Sequence, residues 1–225
     1  MSTRLFARLA AAVVLAVLCA LAPALAEEPA APPTMSRDEA VRALTSADAD
    51  QRRAAVFALA ENGRMPDVEA LLRVLDDDDA PLLAMAERTI WLIWGRHDDP
   101  EVKRLFVEGS EQLASRRIIE SIATFTHVIE RAPEFAEGWN KRATAHFLAG
   151  DMKASLHDCD EVMLRNPNHF GALSGYGLIY THLGDLERAL AFFQRALAIN
   201  PNMAGVRNNV EALRQQLAKR GRHET

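Results

Sequence analysis

The residues that could carry chemistry in this chain are its seven histidines and Cys159, the one of its two cysteines that lies outside the predicted signal segment. A metal site built on helices usually takes two such ligands three or four positions apart, on one face of a helix. No two of the histidines have that spacing, and His157 and Cys159, two positions apart, would point away from each other. The sequence also lacks a glycine-rich phosphate loop, a His-Glu-x-x-His motif and a Cys-x-x-Cys motif. These patterns predict a protein that is not an enzyme and has no catalytic residue, metal or cofactor.

Four consecutive aspartates, Asp76 to Asp79, invite comparison with a calcium site. A calcium loop needs ligands at alternate positions, a glycine for the turn and a distal glutamate. This stretch has no glycine, and Pro81 follows closely. Asp79 is therefore predicted to cap a helix rather than to bind calcium.

The first residues of the chain, 1–26, have the layout of a secretory signal peptide. Two arginines precede an uncharged apolar stretch that runs from Leu9 to Ala22, and Ala24-Leu25-Ala26 forms a small-residue cleavage site. This stretch is shorter than the roughly 20 apolar residues that a helix needs to span a bilayer, which disfavours the alternative of an uncleaved anchor. We expect cleavage after Ala26 and secretion, with the periplasm as the favoured compartment.

The charge balance restricts the class of partner. Acidic residues outnumber basic ones, 31 to 26, and the formal net charge is −5 at pH 7. Binding to nucleic acid requires a basic surface that neutralises phosphates. We therefore expect no nucleic acid partner and, once the signal segment is removed, no membrane insertion.

Three prolines, Pro133, Pro167 and Pro201, recur at one constant interval. Two Gly-Asp pairs, which begin at Gly150 and Gly184, keep the same interval. A fixed period of this length, about 34 residues, is typical of arrays of helix-turn-helix units. The predicted units are residues 102–135, 136–169 and 170–203.

The last unit has the most complete pattern of side chains. It comprises Leu173, Tyr176, Gly177, Tyr180, Ala189, Phe193, Ala196 and Pro201. This pattern resembles the tetratricopeptide repeat (TPR), whose motif places a Leu-Gly pair and a tyrosine on the first helix and Ala-x3-Phe on the second. Gly177 is predicted to let the two helices approach closely, Gly184 to end the first helix, and Asp185 to cap the second.

The other two units depart from this pattern. In the middle unit Cys159 occupies the aromatic position of the second helix, which favours a buried thiol, with a disulfide between chains as the alternative. In the first unit Glu108 and Gln112 stand where apolar residues are expected, and Ser115-Arg116 is taken to replace the Gly-Asp pair. Atypical repeats are common where an array meets another segment.

Upstream of the units, residues 36–101 contain a weaker repeat. Asp48 and Asp79 each precede an alanine-rich apolar stretch, as an N-cap precedes a helix. This segment resembles HEAT-like or armadillo-like helical pairs. If the helix from Pro100 serves both halves, the chain forms one continuous solenoid. The preceding residues, 27–35, contain three prolines and are expected to be a disordered linker.

These observations predict an all-α protein. Residues 204–225 add a capping helix, with apolar residues at helical spacing, and a basic tail. The expected fold is a right-handed α-solenoid of antiparallel helix pairs, in which HEAT-like pairs are followed by three TPR units and the capping helix.

The resemblance implies a concave groove lined by the first helix of each pair, which binds a protein or peptide. Lys141 and the amides suit a peptide's carboxylate and backbone, in partial likeness to the carboxylate-clamp type of these domains. Ordinary solvated helix residues are the alternative. The candidate groove residues are Phe106, Ser110, Asn140, Lys141, Thr144, Phe147, Ser174, Leu178, Thr181 and Asn208.

The favoured function is a non-catalytic, secreted or periplasmic interaction module, an adaptor or scaffold, with a protein or peptide partner of unknown identity. One alternative is a subunit or accessory factor of an envelope enzyme complex. Another is a self-associating envelope scaffold, although a monomer is the favoured state.

Overall fold

The computed structural model describes residues 35–223, and all regular structure in that range is helical. The predicted signal peptide and residues 27–34 of the predicted linker lie outside the described residues. None of the described helices combines the length and apolar character that a bilayer crossing needs. The α-helices are α1 (Arg37–Ala43), α2 (Ala49–Asn62), α3 (Val68–Val74), α4 (Ala80–Trp94), α5 (Pro100–Ala114), α6 (Ile118–Arg131), α7 (Ala136–Ala149), α8 (Met152–Arg165), α9 (Phe170–Leu183), α10 (Leu186–Ile199) and α11 (Ala204–His223).

Aspartates and glycines determine where the helices begin and end. The carboxylate of Asp79 accepts a hydrogen bond from the Leu82 N–H at the start of α4, and Asp185 accepts one from the Arg188 N–H at the start of α10. Gly184 ends α9 in the left-handed conformation, with φ of 79°. The predicted caps are confirmed.

The aspartate run is held by arginines from α2. Arg52 Nε lies 2.9 Å from Asp77 Oδ2, and Arg53 Nη2 lies 2.5 Å from Asp79 Oδ2. Asp77 also accepts a hydrogen bond from the Asp79 N–H. The carboxylates of this turn therefore neutralise two guanidinium groups and organise the backbone.

Helices α5 to α10 form three antiparallel pairs, and α11 packs against the last of them. Helices α7, α9 and α11 begin at residues 136, 170 and 204, and so repeat at the interval of the prolines. In the third pair the ring of Phe193 lies against Gly177, where an added β-carbon would be 2.5 Å from the ring, so the predicted close approach is confirmed. Val206 and Val210 of α11 are buried in the core of that pair. Helices α5 to α11 thus form the expected right-handed α-solenoid of antiparallel pairs.

The turn of the first pair differs by one residue from the expectation. Arg116, not Ser115, occupies the left-handed position, with φ of 61°. Arg116 and Arg117 lie one repeat period before Gly150 and Asp151, and they occupy the equivalent positions of the first unit. The assignment of Ser115-Arg116 to the Gly-Asp pair is therefore wrong. The left-handed conformation ends α5 even though a β-carbon is present.

The N-terminal helices meet the repeats at an unexpected place. Helices α1 to α4 pack against one another, and α5 packs against α6 and α7. Helix α4, however, reaches the start of α9, where Trp94 stacks on His169, the N-cap residue of that helix, with ring centroids 4.2 Å apart. The Asn202 side chain, between α10 and α11, donates a hydrogen bond to the Leu75 carbonyl at 2.7 Å.

The expectation of a helix from Pro100 that continues one solenoid through both halves therefore needs correction. The chain does begin α5 at Pro100. Trp94 is buried and Trp91 is partly buried in a core cluster that includes Phe170 of the third unit. Removing these rings from water stabilises the contact. The N-terminal helices consequently turn back over the repeats.

Candidate binding surface

The surface formed by the first helices of the pairs, α5, α7 and α9, together with α11, is called the inner face here. In a solenoid of helix pairs this face is the extended surface available for binding. Helix α4 covers part of it, because Trp91 contacts Gly171 and Phe170 at the start of α9. The inner face thus has a covered part, near residues 137–141 and 169–171, and an open part.

A buried carboxylate, that of Glu137 on α7, lies in the covered part. Its side chain is 3% exposed. Glu137 Oε2 lies 2.9 Å from His169 Nε2 and 3.1 Å from Asn140 Nδ2, and Oε1 lies 3.3 Å from Lys141 Nζ. Since His169 Nδ1 accepts a hydrogen bond from the Ala172 N–H, Nε2 carries the proton and donates it to Glu137. Glu137 therefore gathers three donors.

Burial and the three donors shift the pKa of Glu137 in opposite directions. Burial by itself would raise the pKa, because a charged carboxylate loses its hydration. The hydrogen bond from His169 and the charge of Lys141 act in the opposite direction and hold the pKa below its ordinary value. Glu137 is therefore a carboxylate at neutral pH.

Four predicted groove residues make contacts within the protein. Phe106 packs edge to face against Phe125 and Phe135, and the Ser110 hydroxyl donates to the Phe106 carbonyl. Asn140 is buried and, like Lys141, binds Glu137.

Five of the other predicted residues lie on the open part of the inner face. The assignment of Asn208 to the groove is wrong, because Asn208 lies on the solvent side of α11 and Asn209 borders the cleft instead. Leu178 is 42% exposed, and a cavity of about 70 Å³ separates it from α7. A wider cleft of about 440 Å³ runs from Leu178 to α11, with Glu87 of α4 on its border. Of the five, the exposed residues are Thr144, Leu178 and Thr181, and the half-buried ones are Phe147 and Ser174.

Sequence reasoning missed the residues that close the covered part. The sequence analysis did not single out Trp91, Trp94, Glu137 or His169. None of them occupies a position that the repeat motif specifies. Two tryptophans three positions apart on one predicted helix were the available signal, since such a pair marks a face that must be buried.

Cys159 is buried between α7 and α9 and has no disulfide partner among the described residues. Burial, followed by the charges of Asp158 and Asp160, raises the pKa of its thiol to about 12. The favoured interpretation as a buried thiol is confirmed. Within residues 35–223, no three His, Cys, Asp or Glu side chains converge as a metal site would require.

Comparison with known proteins agrees with this architecture. The sequence profile of the family described as tetratricopeptide repeat matches residues 172–203. A TPR repeat-containing protein of Rhizobium etli is 30% identical over 148 residues, which cover 66% of this chain and 71% of that protein.

Two solved structures share the fold. The TPR domain of Sgt2 from Aspergillus fumigatus aligns with a TM-score of 0.53 at 20% identity, covering 55% of this chain and 83% of that one. The first TPR of Spaghetti (RPAP3), bound to an HSP90 peptide, aligns with a TM-score of 0.52 at 24% identity, covering 54% of this chain and 96% of that one. With three helix pairs that repeat at one fixed period and this extent of identity to a TPR protein, the chain belongs to the tetratricopeptide repeat family.

Proposed function

We propose that the protein is a non-catalytic interaction module that binds a protein or peptide segment on the open part of the inner face. The observation that carries this proposal is the exposed apolar side chain of Leu178, which lies between two cavities on that face. Membership of a family of interaction repeats supports it, as does the solved TPR of Spaghetti, which is bound to a peptide. The apparent signal peptide supports an exported, periplasmic location.

The chemistry of the open part favours an uncharged, partly apolar segment. Phe147 and Leu178 offer apolar surface, and the hydroxyl groups of Thr144 and Thr181 each donate to a carbonyl of their own helix. A ligand carboxylate would have to compete with Glu137 for Asn140 and Lys141. Since Glu137 already holds these donors in a buried site, the inner face is poorly suited to an acidic chain terminus.

The test compares two exposed leucines, one that borders the cavities of the inner face and one that borders neither. In the Leu178→Arg variant a bulky charge stands on the inner face, whereas in Leu164→Arg it stands on α8, where the leucine is 76% exposed. Peptides selected from a random displayed library against the native chain should lose binding to Leu178→Arg by roughly tenfold or more, since a charge would replace a desolvated apolar contact. Binding to Leu164→Arg should be unchanged.

Photo-crosslinking in cells provides a second readout. A photoreactive residue at position 178 should capture a discrete partner band, and one at position 164 should not. Equal capture at both positions, or selected peptides that bind both arginine variants equally, would remove the inner face as the binding surface. Fractionation of cells that express the full chain would test the proposed periplasmic location separately.

A further inference from the structure

The cleft of about 440 Å³ on the open part of the inner face, called the wide cleft below, combines apolar side chains with a carboxylate. It is bordered by Leu178 of α9, by Met203 and Val206 at the start of α11, and by Glu87 of α4. Among the described residues that line it, Glu87 alone carries a charge. The wide cleft therefore presents apolar surface with a negative group at one border.

The position of Glu87 on α4 directs it toward the repeats. Glu87 lies one helical turn before Trp91, so the two side chains share the face of α4 that docks on α9. Glu87 is half-buried and, within the described part of the chain, forms no ion pair and accepts no hydrogen bond. A carboxylate that is partly removed from water loses hydration, and a cation beside it would compensate that loss.

Other charged groups near the wide cleft leave Glu87 without a counter-ion among the described residues. Helix α9 contains no Asp, Glu, Lys or Arg. Arg88, the next residue on α4, is exposed and does not line the cleft. The guanidinium of Arg207 on α11 donates to a backbone carbonyl, and Lys141 lies 3.3 Å from the buried carboxylate of Glu137. The potential of the cleft is therefore negative.

The hydroxyl groups of the open part also favour a ligand that donates hydrogen bonds. A threonine hydroxyl has one proton, and those of Thr144 and Thr181 are both used within their own helices. Their oxygens can therefore only accept from a ligand. A lysine ammonium and an arginine guanidinium carry donors alone, whereas a carboxylate carries acceptors alone. A basic side chain thus matches this surface in both charge and hydrogen bonding.

We propose that the uncharged segment bound over Leu178 is flanked by a lysine or arginine, whose cation pairs with Glu87 in the wide cleft. This inference rests on the proposed function, because Leu178 provides the apolar contact beside which Glu87 selects the flank. The formal net charge of −5 would also attract a basic segment from a distance. Helix α4 then contributes directly to binding, in addition to covering the start of α9.

The test uses a displayed library of random apolar segments, each flanked by one Lys, Gln or Glu. On the native chain, segments with a Lys flank should be enriched roughly threefold to tenfold over those with a Gln flank. This range lies between the effect of an exposed ion pair and that of a hydrogen bond to a buried charge. In Glu87→Gln the enrichment should disappear, and in Glu87→Lys the Glu flank should be preferred instead. Glu87→Gln, which keeps the shape of the side chain, provides the result if Glu87→Lys proves unstable.

The matched control is Glu211→Lys, which makes the same change of charge on α11. Glu211 is exposed and does not line the wide cleft, so this variant should keep the native preference for Lys. Leu178→Arg identifies the peptides that use the inner face. If those peptides show no preference for a basic flank, or if Glu87→Gln leaves the preference unchanged, or if Glu211→Lys also removes it, this inference is overturned while the proposed function stands. A selection without any Leu178-dependent peptide would overturn both.

Discussion

The indole ring of Trp91 lies against the backbone of Gly171, so that a β-carbon added at Gly171 would come within 2.4 Å of Trp91 Cη2. This contact joins α4 to the first turn of α9, two segments that are distant in the sequence. His169 crowds the same place, with its Cε1 atom 3.2 Å from the added β-carbon. The absence of a side chain at position 171 is therefore a condition for the docking of α4.

Gly171→Ala tests this docking. The added methyl group must displace a large, packed ring, so we expect a loss of about 1–3 kcal/mol in the free energy of unfolding. Urea titration followed by tryptophan fluorescence measures it, and the fluorescence should also report greater exposure of Trp91.

The matched control is Gly205→Ala. No atom lies within 4 Å of a β-carbon at that position in α11. This change should be neutral or stabilise by up to about 1 kcal/mol through helix propensity. If Gly171→Ala proved as stable as Gly205→Ala, α4 would not lie on α9 as described.

Glu137→Gln tests the buried carboxylate. The pKa of Glu137 is depressed in the folded protein, so its contribution to stability is present above the unfolded pKa of about 4.3 and is lost as the pH falls through the folded value. We expect the free energy of unfolding at pH 7 to be about 1–3 kcal/mol lower in the variant, since His169 and Lys141 would face a neutral group.

Urea titrations at pH 7 and at pH 3 measure this dependence. The free energy of unfolding should fall less between these values in Glu137→Gln than in the native chain. Glu130→Gln, at an exposed position on α6, serves as the control and should follow the native curve. Parallel curves for all three proteins would contradict the assigned pKa direction.

Arg116→Gly tests the left-handed turn of the first unit. An L-residue with a positive φ is strained by about 1–2 kcal/mol relative to the right-handed region, and glycine is not. We expect Arg116→Gly to raise the melting temperature. The neighbouring Arg117 has a φ of −83°, so Arg117→Gly should lower it. Equal effects of the two substitutions would show that the strain is absent.

Gly177→Leu tests the packing of the third helix pair. The leucine would enter the volume of Phe193 and should cost about 1–3 kcal/mol or more. Thr181→Leu, one turn later on the open part of the inner face, should have little effect on thermal unfolding. A neutral Gly177→Leu would mean that α9 and α10 contact each other through different faces.

The sequence by itself determined the features that depend on near neighbours in the chain. Asp79 and Asp185 cap helices because a carboxylate at the N-cap reaches backbone N–H groups two or three residues ahead. Gly184 ends α9 because a left-handed residue is needed there. The role of Gly177 in the close approach of two helices could be predicted because Gly177 and its partner Phe193 are both motif positions of the same repeat. The same periodicity predicted that Leu178 faces the concave groove.

Only the tertiary structure decided which part of the inner face is free. Asn140 has the same repeat position as Ser174, yet Asn140 is buried and bound to Glu137. Glu137 supplies this contact, whereas its counterpart in the third unit is Gly171, against which Trp91 of α4 packs. No periodic pattern specifies where a preceding segment docks, because that choice depends on the fit of side chains far apart in the sequence.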